Sequence, residues 1–169
     1  MKFLFSRLFV ALALLVLTAC GTAMPASDSP VLNLLASSNL VKVGETFVLT
    51  LQVEGVSGLT AFETHLSFDP ALLEVVSIQP GGFVQPDFLV QEAFDNAAGT
   101  LDYAAAQMDR PAAQGSGALL QVAFRARAGG TALIRFRETP AAPDGAILAD
   151  ADGYAIQVAL GDARINISP

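Results

Sequence analysis

The chain has no tryptophan, one cysteine, one histidine and two tyrosines in 169 residues, and its nine Lys and Arg are outnumbered by sixteen Asp and Glu. Each shortage excludes something. A lone cysteine cannot close a disulfide within the chain, so an exported domain of this sequence must be stabilised by its apolar core. One histidine and one cysteine do not supply the spaced pairs from which zinc and related metal sites are built. The excess of acid removes the attraction to phosphate backbones and anionic lipid on which nucleic-acid and membrane-surface binders depend. Sugar platforms stack aromatic faces on pyranose rings, and Tyr103 and Tyr154, the only tyrosines, both sit in apolar strand-like context that suits a core.

What the chain does have begins with Lys2 and Arg7 followed by the apolar run LFVALALLVLTA. That run is shorter than the roughly 20 residues a membrane-spanning helix needs, and residues 1–19 read as a secretory signal. The stretch LTAC, Leu17 to Cys20, resembles the bacterial lipoprotein box. The resemblance implies that Cys20 is lipidated and becomes the first residue of the mature protein, held to a bacterial membrane and facing the cell exterior or the periplasm. A diacylglyceryl plus an acyl chain passes the two-chain threshold for stable anchoring. The small, polar, proline-bearing GTAMPASDSP completes a flexible tether over residues 20–30, and 31–169 is the right size for one domain. Without the signal, seven bases face sixteen acids, a net charge of −9.

Within that domain the apolar period is two almost everywhere. TFVLTLQVE puts Phe47, Leu49, Leu51 and Val53 on one face. AFETHLSF does the same with Phe62, Leu66 and Phe68, leaving Ala61, Glu63, His65 and Ser67 on the other. LLQVAFRAR aligns Leu120, Val122, Phe124 and Ala126; TALIRFR aligns Ala132, Ile134 and Phe136; YAIQVAL aligns Tyr154, Ile156 and Val158. Helical spacing is scarce, and Gly and Pro punctuate the chain. DPALLEVV fits a single helical turn, with Asp69 as cap and Pro70 at the first helical position, serving as a corner between strands. Short strands with one wet side predict an all-β sandwich of two sheets.

The order of these features resembles the cohesin domain, the module through which bacterial scaffolding proteins hold dockerin-bearing partners. The resemblance rests on VKVGETFVLTLQV, on GLTAFETHLSFDPALLEVVSIQPGGF and on GSGALLQVAFRARAGGTALIRF, covering most of Val41 to Phe136. It implies a nine-stranded jelly-roll β-sandwich, similar to carbohydrate-binding modules, in which the Asp-Pro corner carries the chain from one sheet to the other. VAFRARAGGTALIRF reads locally as a hairpin around Gly129 and Gly130. The resemblance implies that its two strands lie in opposite sheets.

The resemblance also implies a partner-binding sheet face built from AFETHLSF, LVQEAFDN, TLDYAAAQ and TALIRFR. Its outward residues are expected to be Ala61, Glu63, His65 and Ser67, then Asp102, Ala104 and Ala106, then Leu133, Arg135 and Arg137. Small residues at the centre with charges of both signs around them suit a protein interface. A general base needs a nucleophile or carboxylate partner within hydrogen-bond reach, for which a single strand position supplies no evidence, so His65 reads as a surface histidine able to make binding pH-sensitive. No segment resembles a catalytic motif, so an enzyme is not expected. The partner that the resemblance implies is a dockerin-bearing protein, such as a polysaccharide-degrading enzyme; the alternative is a module that binds polysaccharide directly. The calcium of such a pair is carried by the dockerin, which leaves this chain without a cofactor of its own. DADG, Asp150 to Gly153, has the acid spacing of a calcium loop at Asp150 and Asp152, but a turn explains it better. NIS at Asn166 matches a glycosylation acceptor that a bacterial lipoprotein would rarely use.

Overall fold

A computed structural model describes residues 29–169. The signal, Cys20 and nearly all of the tether lie outside the described residues. Strands run β1 (Val31–Ala36), β2 (Leu40–Lys42), β3 (Thr46–Leu59), β4 (Ala61–Ser67), β5 (Leu73–Pro80) and β6 (Phe88–Asp95). They continue as β7 (Thr100–Ala106), β8 (Ala113–Ala126), β9 (Gly130–Phe136), β10 (Ala146–Ala149), β11 (Ala159–Gly161) and β12 (Ala163–Ser168). The sandwich class is as expected. The strand count is twelve rather than nine among the described residues, and the surplus is β2, β10 and β11, pieces of three or four residues.

One sheet has the order β11-β1-β3-β8-β5; the other runs β2-β12-β9-β4-β7-β6, with β10 added beside β4. The period of two sets which side chains meet between them. Phe47, Leu49, Leu51, Val53, Leu120, Val122 and Phe124 point in from the first sheet, and Phe62, Leu66, Leu101, Tyr103, Ile134 and Ile165 from the second, all buried. Each such side chain contributes about 1.5–3 kcal/mol of hydrophobic stabilisation. Phe124 links the layers, stacking on Phe47 at 5.8 Å and meeting the Phe68 ring edge-on at 5.2 Å. Tyr103 stacks on Phe62 at 5.6 Å. Burial, and secondarily the Glu92 carboxylate, pushes the Tyr103 phenol above its ordinary range.

The Asp-Pro stretch makes the expected corner from β4 in one sheet to β5 in the other. Asp69 accepts the Leu72 and Leu73 N–H groups on its carbonyl and the Ala71 N–H on Oδ1 at 2.8 Å, a single capped turn. Gly99, at φ 71° in the turn before β7, packs under this corner; a Cβ there would overlap the Phe68 carbonyl and Pro70. The second crossing, between β8 and β9 at Gly129 and Gly130, also joins opposite sheets, as the family resemblance implied against the local hairpin reading. The two crossings are tied together where the Arg127 N–H donates to the Leu72 carbonyl at 2.8 Å.

On the open flank, β5 and β6 are edge strands of different sheets. Asn96, after β6, bridges them: its amide accepts the Val75 N–H at 2.7 Å and donates to the Val75 carbonyl at 2.9 Å, where β5 bulges. The final stretch departs from expectation. Tyr154 to Val158 does not form a strand, and Tyr154 is exposed rather than core, because Asp150 holds the chain in a turn that turns its ring outward.

Two stability outcomes follow. Asp69→Ala removes the cap of the corner and lowers unfolding free energy by about 0.5–2 kcal/mol in urea titration. Thr64 is wholly buried in β4 and its hydroxyl has no hydrogen-bond partner, so Thr64→Val, nearly isosteric, raises stability by about 1 kcal/mol in the same measurement.

Candidate partner-binding face

The outer face of β9-β4-β7-β6 is where the expected side chains come together. Cross-strand register sets Glu63 opposite Ala104, His65 opposite Asp102, Ala61 opposite Ala106 and Ser67 opposite Arg135. Opposed residues share a face, so all ten expected residues lie on one surface or its margin. Its two halves differ in chemistry.

The apolar half is a trough floored by alanines. Ala61, Ala104 and Ala106 form the floor, with Val90 on the β6 side and Ile147 and Ala149 of β10 on the other, enclosing about 230 Å³. It continues into a recess of about 320 Å³ beside Met108, Arg110 and Asp150. Every residue of β6 is exposed, Phe88 and Val90 by more than half. Such an uncovered apolar patch on an edge strand marks a contact surface. Val90 reaches the trough because β6 bulges between Leu89 and Gln91. The end of the trough is held by Asp87, whose carboxylate accepts the Met108 N–H at 2.9 Å and the Asp109 N–H at 3.0 Å. These backbone donors, Asp109's foremost, hold the carboxyl below the ordinary aspartate range.

The charged half centres on His65. Its Nδ1 lies 2.6 Å from Asp102 Oδ1 and its Nε2 2.6 Å from Glu63 Oε1, while Arg137 Nη2 donates to the same Asp102 oxygen. Beyond this quartet lie Ser67, Leu133 and Arg135 around a shallow depression that also includes Asp69 and Thr131. The expectation of a surface histidine is corrected here: His65 is buried, only 7% exposed. The cause is a chain excursion. β4 pairs with β9 at Leu66 and Ser67 but with β10 from Ala61 to Thr64, and the chain between those two partners leaves and re-enters the sheet at His65. The His65 carbonyl accepts the Arg137 N–H and the His65 N–H donates to the Gly145 carbonyl, both at 2.8 Å. Gly145, at φ 83°, permits the pinch, since a Cβ there would stand 2.7 Å from the Arg137 nitrogen. Ala104 is likewise outward but buried, its one methyl sunk beside Glu63 and Val90.

Glu-x-His on one strand puts both side chains on one face, and the carboxylate partner that the sequence reading did not find for His65 is Glu63 of its own strand. Asp102 and Arg137 needed the register. The roles of Val90 and Ile147 were missed, because one depends on a bulge and the other on β10, which no alternation marked. At the possible calcium loop, Asp150 Oδ1 instead accepts the Asp152 and Tyr154 N–H groups. Among the described residues no three His, Cys, Asp or Glu side chains are grouped to hold a metal ion. Asn166 is exposed on β12 beside Thr131, whose hydroxyl donates to it at 3.2 Å. No helix among the described residues is long and apolar enough to cross a membrane.

Fold and surface together define a class: a jelly-roll sandwich whose second sheet carries a composite apolar and charged outer face. The cohesin-domain family model matches residues 32–153, and the chain belongs to the cohesin family. Solved structures agree on the fold. A type II cohesin domain from the cellulosome of Acetivibrio cellulolyticus is similar at 22% identity and a TM-score of 0.73, over 82% of this chain and 95% of that one. A non-cellulosomal cohesin from the archaeon Archaeoglobus fulgidus is similar at 17% identity and 0.66, over 83% and 92%. A cohesin of a type I cohesin–dockerin complex from Clostridium thermocellum is similar at 18% and 0.65, over 82% and 95%. No curated protein matches the chain.

The Asp87 contacts give a local outcome. A carboxylate whose folded pKa is depressed contributes above its unfolded pKa and loses that contribution as pH falls through the lower folded value. Hydrogen exchange of the Met108 and Asp109 amides is therefore slowed near neutral pH and speeds up, beyond the intrinsic trend, as pH drops below the ordinary aspartate range. Asp87→Ala abolishes that protection at every pH and leaves the global melting temperature within about a degree or two.

Proposed function

We propose that this chain is a surface-held interaction module that captures a dockerin-bearing protein through the outer face of β9-β4-β7-β6. The observation that carries this is the composite surface: an alanine-floored apolar trough adjoining a charge quartet on the outer face of one sheet. Alanines let a partner's backbone or helix approach closely, exposed Phe88 and Val90 supply apolar area at one side, and Arg135, Arg137, Glu63 and Asp102 supply paired charge for orientation. Membership of the cohesin family and the dockerin-bound relative point the same way. A lipid on Cys20 would place the module on the outside of a bacterial membrane, with the tether spanning to β1. A polysaccharide-degrading enzyme carrying the dockerin is the partner class this arrangement serves.

The test is capture of a dockerin module by the purified domain, with and without calcium chelation, against Ala106→Arg and Arg135→Glu. Each changes an outward side chain on one half of the face, so each lowers affinity by about tenfold or more, the cost of a buried mismatch in an interface. Thermal unfolding stays within about 0.5 kcal/mol of the parent, as for surface substitutions away from the core. Parent-level capture by both variants would rule this face out, and retention on insoluble cellulose, chitin or xylan with no dockerin capture would favour direct sugar binding.

A further inference from the structure

The quartet on this face contains a contradiction that only a proton resolves. Carboxylate oxygens accept hydrogen bonds and do not donate, and a neutral imidazole has one donor and one acceptor nitrogen. Yet both ring nitrogens of His65 lie 2.6 Å from a carboxylate oxygen. A neutral ring would set a lone pair against Glu63 or against Asp102, whereas a ring protonated on both nitrogens satisfies both and makes the quartet of Glu63, His65, Asp102 and Arg137 electrically neutral.

The two carboxylates are not held equally. Asp102 is also gripped by Arg137, and its side chain is the less exposed of the two. Glu63 has His65 as its one hydrogen-bond partner among the described residues and is 31% exposed. Other charges nearby do not substitute. β10 offers only Ala146 to Ala149, Asp144 lies in the chain excursion, Glu92 is paired in register with inward-facing Tyr103, and Arg135 sits beyond Ser67. Loss of the His65 proton therefore frees Glu63.

We propose that His65 is the positioning residue of this face: a single proton on its ring decides whether Glu63 lies down against the sheet or stands free beside the alanine trough. The inference rests on reading the face as the partner surface only for its consequence in binding. Its structural half concerns the free chain alone. With the proton on, the trough is flanked by a neutral, fixed array. With it off, the face carries one more negative charge on a mobile side chain.

Because His65 is the chain's only histidine, its ring nitrogens can be followed without ambiguity by 15N NMR on the free domain. The expected result is that the Glu63 side-chain carboxyl 13C signal shifts with the same midpoint as the His65 ring while the Asp102 signal moves less, and that His65→Gln removes the Glu63 step. A Glu63 signal that ignores the ring's titration overturns the proposal, whatever binding does. In the second arm, affinity for a dockerin module changes by about two- to fivefold across that same transition, the size of one partly exposed charge contact, and His65→Gln flattens the profile. If the NMR step is present and dockerin capture is absent or pH-independent, the positioning role stands and the reading of the face as the dockerin surface fails. Should His65→Gln not fold, Glu63→Gln serves instead: only the ring's own charge then changes, and the step in affinity shrinks. A step of undiminished size in that variant overturns the proposal.

Discussion

The contact of Phe124 with Phe47 in its own sheet and with Phe68 from the other is the point on which this architecture turns. No disulfide is available, so the layers stay together only because alternate side chains of β3 and β8 meet those of β4, β7, β9 and β12 with water excluded. That demand for strict alternation has a corollary on the outside. Each strand of the second sheet must present its other residues outward, and between β9 and β6 most of them stay accessible, with His65 and Ala104 buried. The outer face is thus a by-product of the core, and its exposed positions, such as Arg135, face away from the residues packed between the sheets.

Alternation is also why much of the fold could be read from the chain. Phe62, Leu66 and Phe68 are inside as their spacing requires, and Asp69-Pro70 turns the corner for the reasons its residue types suggest. The crossing at Gly129 was different. Local sequence favours a hairpin there, and only the global order of strands, supplied by family resemblance, separates the two arms. What stayed hidden has a common cause. β2, β10 and β11 are too short to show a period, and Tyr154 to Val158 shows one without being a strand, because the Asp150 turn takes its backbone elsewhere. Periodicity reports which residues could share a face, not whether a neighbour exists to pair with.

The site was legible to the same depth. Outward positions on β4 and β7 follow from alternation alone, which is enough to place Glu63, His65 and Asp102 together once register is known. Burial of His65 follows from no local signal. It results from the detour between Arg137 and Gly145, which draws both chain ends onto one residue and brings a guanidinium over its partner. A histidine read as solvated becomes the enclosed centre of a charge network through an event seventy residues away.

The pairing of chain ends carries a consequence for how the molecule comes into being. β1 pairs antiparallel with β3 on one side but parallel with β11 on the other, and β2 pairs parallel with β12, so each sheet takes one of its neighbours from the end of the chain. A chain emerging from a ribosome in sequence order cannot finish the first sheet before β11 is made or the second before β12, and closure of such long loops is slow. Completion of the sandwich is thereby deferred, and the earlier strands must wait beside partly built sheets until the last residues arrive.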